Sequence, residues 1–478
     1  MGWAGSVYFY STGNVTNCNF IKNTANDDGG AVYFNSSGSI EKCIFTDNSA
    51  RYGGAVYFIG NGELIDCNFA GNTANRSGGA VWMYSGNVTQ CSFTDNTAIR
   101  DGGAVKMYSG NVTDCTFAGN DAIRDGGALY FKENGAVENC NFTNNTASDY
   151  GGAIDFEGNS IVTNCNFTNN KAGEKGGALY VKESFADVVN SSFAQNNAPT
   201  GGAIYVDISK LNIDNSSFAQ NRAFEGGAIY NEKFVGISVT NTHFAQNSAK
   251  YGGVIRNEGG SLTIKDANFT DNDAGYNGGV IYNSGDIEIF NSLFANNSAR
   301  YGGAISHYDQ KIIINDSLFT NNTASQYGGA INNDNGEIEI TNTNFTKNTA
   351  TYGGAIENRY YLDMDNCRLE NNNAPYGGAI DNDRGEADIQ NSQFVNNTAS
   401  RYGGAIYNDY GKTSITDSDF TQNTARYGGA IYSDEGKMGI TNANFTQNTA
   451  DYRGGAVYTW GSDIAITDSK FANNTAKE

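Results

Sequence analysis

Proline and histidine are nearly absent, with 2 residues each in 478. The shortage of proline excludes collagen and a proline-rich linker. Basic residues are also few, 30 Lys and Arg against 51 Asp and Glu, leaving a net charge of −21. A nucleic-acid binder needs a basic face, so nucleic acid is excluded as a partner. An anionic membrane would be repelled. No apolar run approaches the roughly 18 residues that cross a bilayer, so direct membrane insertion is not expected. The opening MGWAGSVYFYSTG has no basic stretch and no long apolar one, and is read as no signal peptide. There is no CxxC pair, no GxxxxGKS/T loop and no GGxGxDxUx repeat, so neither a metal nor a cofactor is expected.

Glycine is abundant, at 60 residues, and aromatics make up 12% of the chain. A disordered chain would lack such aromatics. Gly-Gly followed by Ala or Val and an aliphatic recurs eighteen times from Gly29 to Gly454, always 24–26 residues apart. Phe, two residues, then Asn recurs nineteen times from Phe20–Asn23 to Phe471–Asn474, with Leu369 the single exception. No segment escapes this register, so residues 1–478 read as one repeat domain. The leucine-rich signature is absent, and helical repeats are longer. Short β runs broken by turn residues at this period predict an all-β, right-handed parallel β-helix. It has about 19 coils of roughly 25 residues.

The columns predict the coil. An aliphatic stands five before each Phe (Val15, Ile40, Ile415) and a small residue two before it (Cys18, Cys43, Ser418). One continuous strand would point these to opposite faces. A one-residue corner is therefore expected at the Asn or Asp between them, such as Asn17, Asp66 or Asn164. Counting from the first glycine, the fourth residue is always aliphatic. The fifth is of any type and is expected to face water. The sixth changes from Phe, Met or Val (Phe34, Met83, Val206) to Asn (Asn231, Asn257, Asn408), with His307 in the same column. This divides the chain into sub-types 1–215, with Cys and apolar stacks, and 216–478, with Ser and Asn stacks. The Asn are expected to bond from coil to coil.

Cys18, Cys43, Cys67, Cys91, Cys115, Cys140, Cys165 and Cys367 share one column, where Ser and Ala also occur. A stack of free thiols is favoured over disulfides, because parallel Cβ vectors one strand spacing apart fit a disulfide poorly. His243 and His307 occupy different coil positions, which argues against a catalytic dyad. Acidic residues are scattered, mostly in expected turns, so no enzyme activity is expected. Tyr often precedes the glycine pair, at Tyr251, Tyr301, Tyr327, Tyr352, Tyr376, Tyr402 and Tyr427, with Arg300, Arg401 and Arg426 alongside. This column reads either as a contact stripe for glycan or protein or as turn residues stiffening the stack. Sequons whose middle residue is Phe, at Asn141, Asn166, Asn268, Asn344 and Asn444, place Asn outward as possible glycosylation sites.

The paired GGA-aliphatic and FxxN motifs resemble the repeats of the chlamydial polymorphic outer-membrane proteins and of methanogen adhesin-like surface proteins. The resemblance covers the whole chain. It implies a non-enzymatic, extracellular, cell-surface stalk or binding passenger that contacts a glycan or a surface protein of another cell. The export signal and anchor are not found in this chain, and both ends read as cuts through a repeat. Two alternatives stand beside this reading: a self-assembling fibre subunit that associates end to end, and a β-helix glycan lyase or hydrolase.

Overall fold

One coil shows how the sequence makes the fold. A computed structural model describes residues 2–232 and 236–477, and among them every regular element is a strand. In the coil that starts at Gly126, Leu129–Phe131 and Gly135–Glu138 form the first face, Asn141–Thr143 the second and Thr146–Ala147 the third. Asn139 turns the chain between the first two faces with φ 56°, the corner expected three before the Phe. A second left-handed corner follows at Asn144, also φ 56°, two after the Phe. Its column mixes Lys22, Asp47, Gln195 and Lys347, so residue type did not reveal it. Coil-to-coil bonds hold these types there, as when Lys22 N–H donates to Thr46 O at 2.9 Å.

The two glycines of each pair are needed for different reasons. Gly151 has φ 60°, and a Cβ on it would lie 2.3 Å from Ile154 O. Gly152 lies outside the left-handed region, but its Cβ would lie 2.1 Å from Gly177 O in the next coil. The first glycine allows the turn and the second lets the coils approach.

Coils stack in parallel register, so that Phe142 pairs with Phe167 and Ile154 with Leu179. The chain is a right-handed parallel β-solenoid of about 19 turns. It divides into two compact units, Met1–Ile237 and Ser238–Glu478. In the first unit the third face is a row of two-residue strands from Ser49–Ala50 to Lys171–Ala172. In the second unit it lengthens, as in Thr323–Tyr327 and Thr398–Tyr402, and so takes in the tyrosine column. Register shifts there, for example between Ala299 and Tyr301, absorb the unequal coil lengths.

The core of each unit is built from stacks. Phe117, Phe142 and Phe167 lie nearly parallel at 4.8 Å intervals, and Phe269 and Phe294 repeat the spacing in the second unit. The Asn of FxxN forms a second, fully buried ladder. Asn145 Nδ2 donates to Asn170 Oδ1 and to Phe117 O, each at 3.0 Å, while Asn145 Oδ1 accepts Asn120 N–H and Nδ2. Every donor and acceptor of the amide is thereby used.

The change of sub-type also has a steric cause. In the first unit the sixth-position ring fills the interior opposite a glycine, and a Cβ on Gly38 would lie 2.3 Å from the Phe34 ring. In the second unit the smaller Asn333 and Asn358 stand at the sixth position. The strands there carry Ile338 and Leu362, both buried. Volume is thus exchanged from one side of the core to the other. The expected amide bonds form: Asn333 Nδ2 donates to Asn358 Oδ1 at 2.8 Å, and Asn358 Nδ2 to Asn382 Oδ1 at 2.8 Å.

Candidate functional site

The column before the glycine pair is assembled on the third face of the second unit. Tyr301 and Tyr327 stack at 5.5 Å, Tyr327 and Tyr352 lie 5.2 Å apart, and Tyr352 and Tyr376 stack at 4.7 Å. Tyr402 stands at 65° to Tyr376, and Tyr427 follows at 5.8 Å. Tyr251 joins the row through Tyr276, 5.7 Å away. Spacing alone missed Tyr276 and Tyr452 because each stands two residues before its glycine pair. The register pairs Asn277 and Arg453 with the column, yet both rings reach the row from the preceding position, Tyr276 lying 5.1 Å from Tyr301 and Tyr452 5.4 Å from Tyr427.

The basic neighbours belong to this row. The Arg300 guanidinium lies 5.1 Å from both the Tyr276 and Tyr301 rings, and Arg426 lies 5.6 Å from Tyr427 and 5.2 Å from Tyr452. Arg401 covers Tyr376 at 5.4 Å and donates to its hydroxyl. Exposed contacts of this kind contribute about 0.5–1 kcal/mol each. Where rings stack face to face, their faces cover one another and their edges are left for a partner. The column therefore presents a comb of ring edges and guanidinium groups rather than a flat aromatic platform.

Beneath it lies a layer that corrects the sequence reading. The fifth residue was expected to face water, yet Tyr130, Asp155, Tyr180, Tyr205, Glu357, Asp381, Tyr407 and Tyr432 are all buried. Neighbouring side chains are the reason: Lys106 lies 4.4 Å from the Tyr130 ring and Lys175 4.3 Å from the Tyr205 ring, and half-buried tyrosines of the turn column roof others. Tyr150 stacks on Tyr180 at 4.8 Å in the first unit, and Tyr402 on Tyr432 at 4.5 Å in the second. Acidic residues are consequently not confined to turns. Burial pushes the Glu357 carboxyl up to about 8 against the pull of Arg359, and it raises Asp381 and Asp155 well above the ordinary carboxylate range.

The other candidates are separate from this column. Asn141, Asn166, Asn268, Asn344 and Asn444 are exposed at the start of their Phe strands, and Asn166 Nδ2 donates to Asn141 Oδ1 at 2.9 Å. All eight cysteines are free thiols, and all but Cys18 are buried. Cys43 Sγ donates to Glu41 O at 3.2 Å, and the N–H of Cys18 donates to Cys43 Sγ at 3.3 Å. Burial pushes the Cys367 thiol up to about 12. His307 sits in the Asn ladder, with Asn283 Nδ2 3.1 Å from its Nδ1 and Gln310 O 3.1 Å from its Nε2. The missing side chain of Gly336 makes room for its ring. Among the described residues, no group of three or more His, Cys, Asp or Glu is placed to hold a metal ion. No helix among them is long and apolar enough to cross a membrane.

Comparison with known families agrees with this architecture. A model described as right-handed β-helix region matches residues 81–249 and 252–420. One described as the Chlamydia polymorphic membrane protein repeat matches residues 17–35, 42–59, 417–434 and 442–459. No curated protein matches the chain.

Proposed function

From the premise that the chain belongs to the right-handed β-helix family, we propose that it is a surface-exposed, non-enzymatic passenger of the adhesin type. It contacts a repetitive glycan through the turn column of its second unit. The observation that carries this reading is the polymorphic membrane protein repeat, which occurs in both units. The column supplies the contact chemistry. Phenol edges recur from coil to coil near the strand spacing, with guanidinium groups of Arg300, Arg401 and Arg426 among them, which suits many weak hydrogen bonds to a repeating polymer.

Replacing the tyrosines by serine would uncover the buried carboxyls, so the test removes hydroxyls alone. Tyr→Phe at 327, 352, 376 and 402, combined with Arg401→Ala and Arg426→Ala, should abolish retention on a glycan array. The circular dichroism spectrum and the melting temperature should stay close to those of the parent. Undiminished binding by this folded variant would remove the column from the contact.

A further inference from the structure

The buried carboxyls beneath the turn column lack enough cations to balance them. In the second unit Glu357 is fully buried and Asp381 is 2% exposed, and the two are paired in register on adjacent coils. One guanidinium serves the group. Arg359 approaches Asp334 Oδ1 at 3.0 Å, Glu357 Oε1 at 2.8 Å and Asp383 Oδ2 at 3.3 Å, and its plane lies 4.4 Å from the Tyr327 ring. The contact with Glu357 is an ion pair without hydrogen-bond alignment. Neither Glu357 oxygen has a hydrogen-bond partner, nor has Asp381 Oδ1. The charged and titratable groups facing Glu357 are Arg359, Asp383, Asp334 and Asp381; those facing Asp381 are Glu357, Asp383, Asp409, Arg359, Tyr352 and Tyr407.

The first unit also buries carboxyls, though in a different arrangement: Asp125 directly precedes its glycine pair, and Asp155 at the fifth position pairs in register with Tyr130. Asp125 and Asp155 are buried, each with Oδ1 unpartnered. Lys106 is engaged by Asp101 at 2.7 Å, and Arg124 stands 3.4 Å from Asp125 Oδ2.

Two ionised carboxylates on neighbouring coils, out of water and sharing one guanidinium, are strongly unfavourable, whereas the protonated acids are neutral. We propose that Glu357 and Asp381 are a pH-sensitive latch under the turn column: protonated, they let the tyrosine turns seat, and ionised, they drive those turns outward. The latch thereby regulates the surface assigned above as the glycan contact, and its regulatory meaning rests on that assignment. Because burial raises Glu357 above its unfolded value, the seated state is fully favoured below the ordinary carboxylate range and is lost as pH rises through about 8.

The test needs no ligand, so failure of the glycan reading and failure of the latch are distinguishable. Hydrogen exchange of the Tyr352, Gly353, Tyr376 and Gly377 amides, which bond across coils, is followed at pH 6.5 and pH 9 and corrected for intrinsic rates. The wild type should lose protection by roughly tenfold or more, the factor that accompanies one pKa unit of linkage. Glu357→Gln/Asp381→Asn should show no such loss. If the double variant does not fold, Asp381→Asn alone should show a reduced loss. Equal pH dependence in wild type and variant, or unchanged protection of the wild type at pH 9, overturns the latch.

Discussion

At the residue scale, the FxxN asparagine is the most demanding position in the coil. Asn145 accepts from Asn120 N–H at 3.1 Å and Nδ2 at 2.9 Å, and donates to Phe117 O and Asn170 Oδ1. Asn145→Ala removes all four bonds; Asn120 Nδ2 keeps only Phe93 O and Asn170 Oδ1 keeps only the backbone N–H of residue 145, while Asn120 N–H loses its partner inside the core. An expected loss of about 3–5 kcal/mol follows from the desolvation penalty of buried polar groups. A denaturant titration in which the variant loses under about 1 kcal/mol would show that the ladder is dispensable. The thiols give a second residue-scale expectation. Cys43, Cys67, Cys91, Cys115, Cys140, Cys165 and Cys367 are buried, and Cys18 is exposed. A thiol reagent mapped by mass spectrometry should therefore label Cys18 in the native protein and the others only after denaturation.

At the scale of the element, the glycine pair and the Phe strand set how coils stack. Gly152→Ala places a Cβ 2.1 Å from a backbone oxygen of the next coil, whereas Gly151→Ala places one on a residue with φ 60°. The first change wedges coils apart; the second strains one turn, adding a 2.3 Å contact with Ile154 O of the same coil to the roughly 1–2 kcal/mol of the left-handed backbone. Gly152→Ala should therefore lower the melting temperature more than Gly151→Ala, and the reverse order would contradict the close-approach explanation. Phe142 is fully buried between Phe117 and Phe167. Phe142→Ala should cost about 3–5 kcal/mol through lost burial and a cavity, measurable by the same titration.

At the scale of the whole molecule, buried titratable groups shape the response to pH. Burial pushes His307 down to about 4, so the folded state holds it neutral. Its stabilising share is complete above the ordinary histidine value near 6.5 and falls as pH drops through that value towards 4, by up to about 3 kcal/mol. His307→Asn would place the residue type of Asn283 and Asn333 in that ladder position. The variant should melt at a higher temperature than wild type at pH 4 relative to their difference at pH 7. An unchanged difference would show that His307 is not protonated on unfolding.

The sequence by itself determined the solenoid. A glycine pair every 24–26 residues, with a Phe (once Leu) eight or nine residues before each pair, calls for stacked coils. The odd spacing around Asn164 required a corner, and φ at Asn164 is 54°. It also determined the amide stack at Asn257 and Asn408, because a polar type replaced an apolar one at a single interior position. Only the tertiary structure decided what covers what. The fifth column read as solvent-facing because its residue types vary, yet those varied residues lie under side chains from neighbouring positions, as Tyr432 does under Tyr402. Tyr276 and Tyr452 entered the aromatic row through ring contacts made from one residue before the paired positions Asn277 and Arg453, which no fixed offset contains. Glu357 and Asp381 became a buried pair because parallel stacking sets residues of successive coils side by side, with Tyr352 near Asp381 and Arg359 between Glu357 and the Tyr327 ring. A one-dimensional pattern records which residues share a column; the depth of that column depends on its neighbours around the coil.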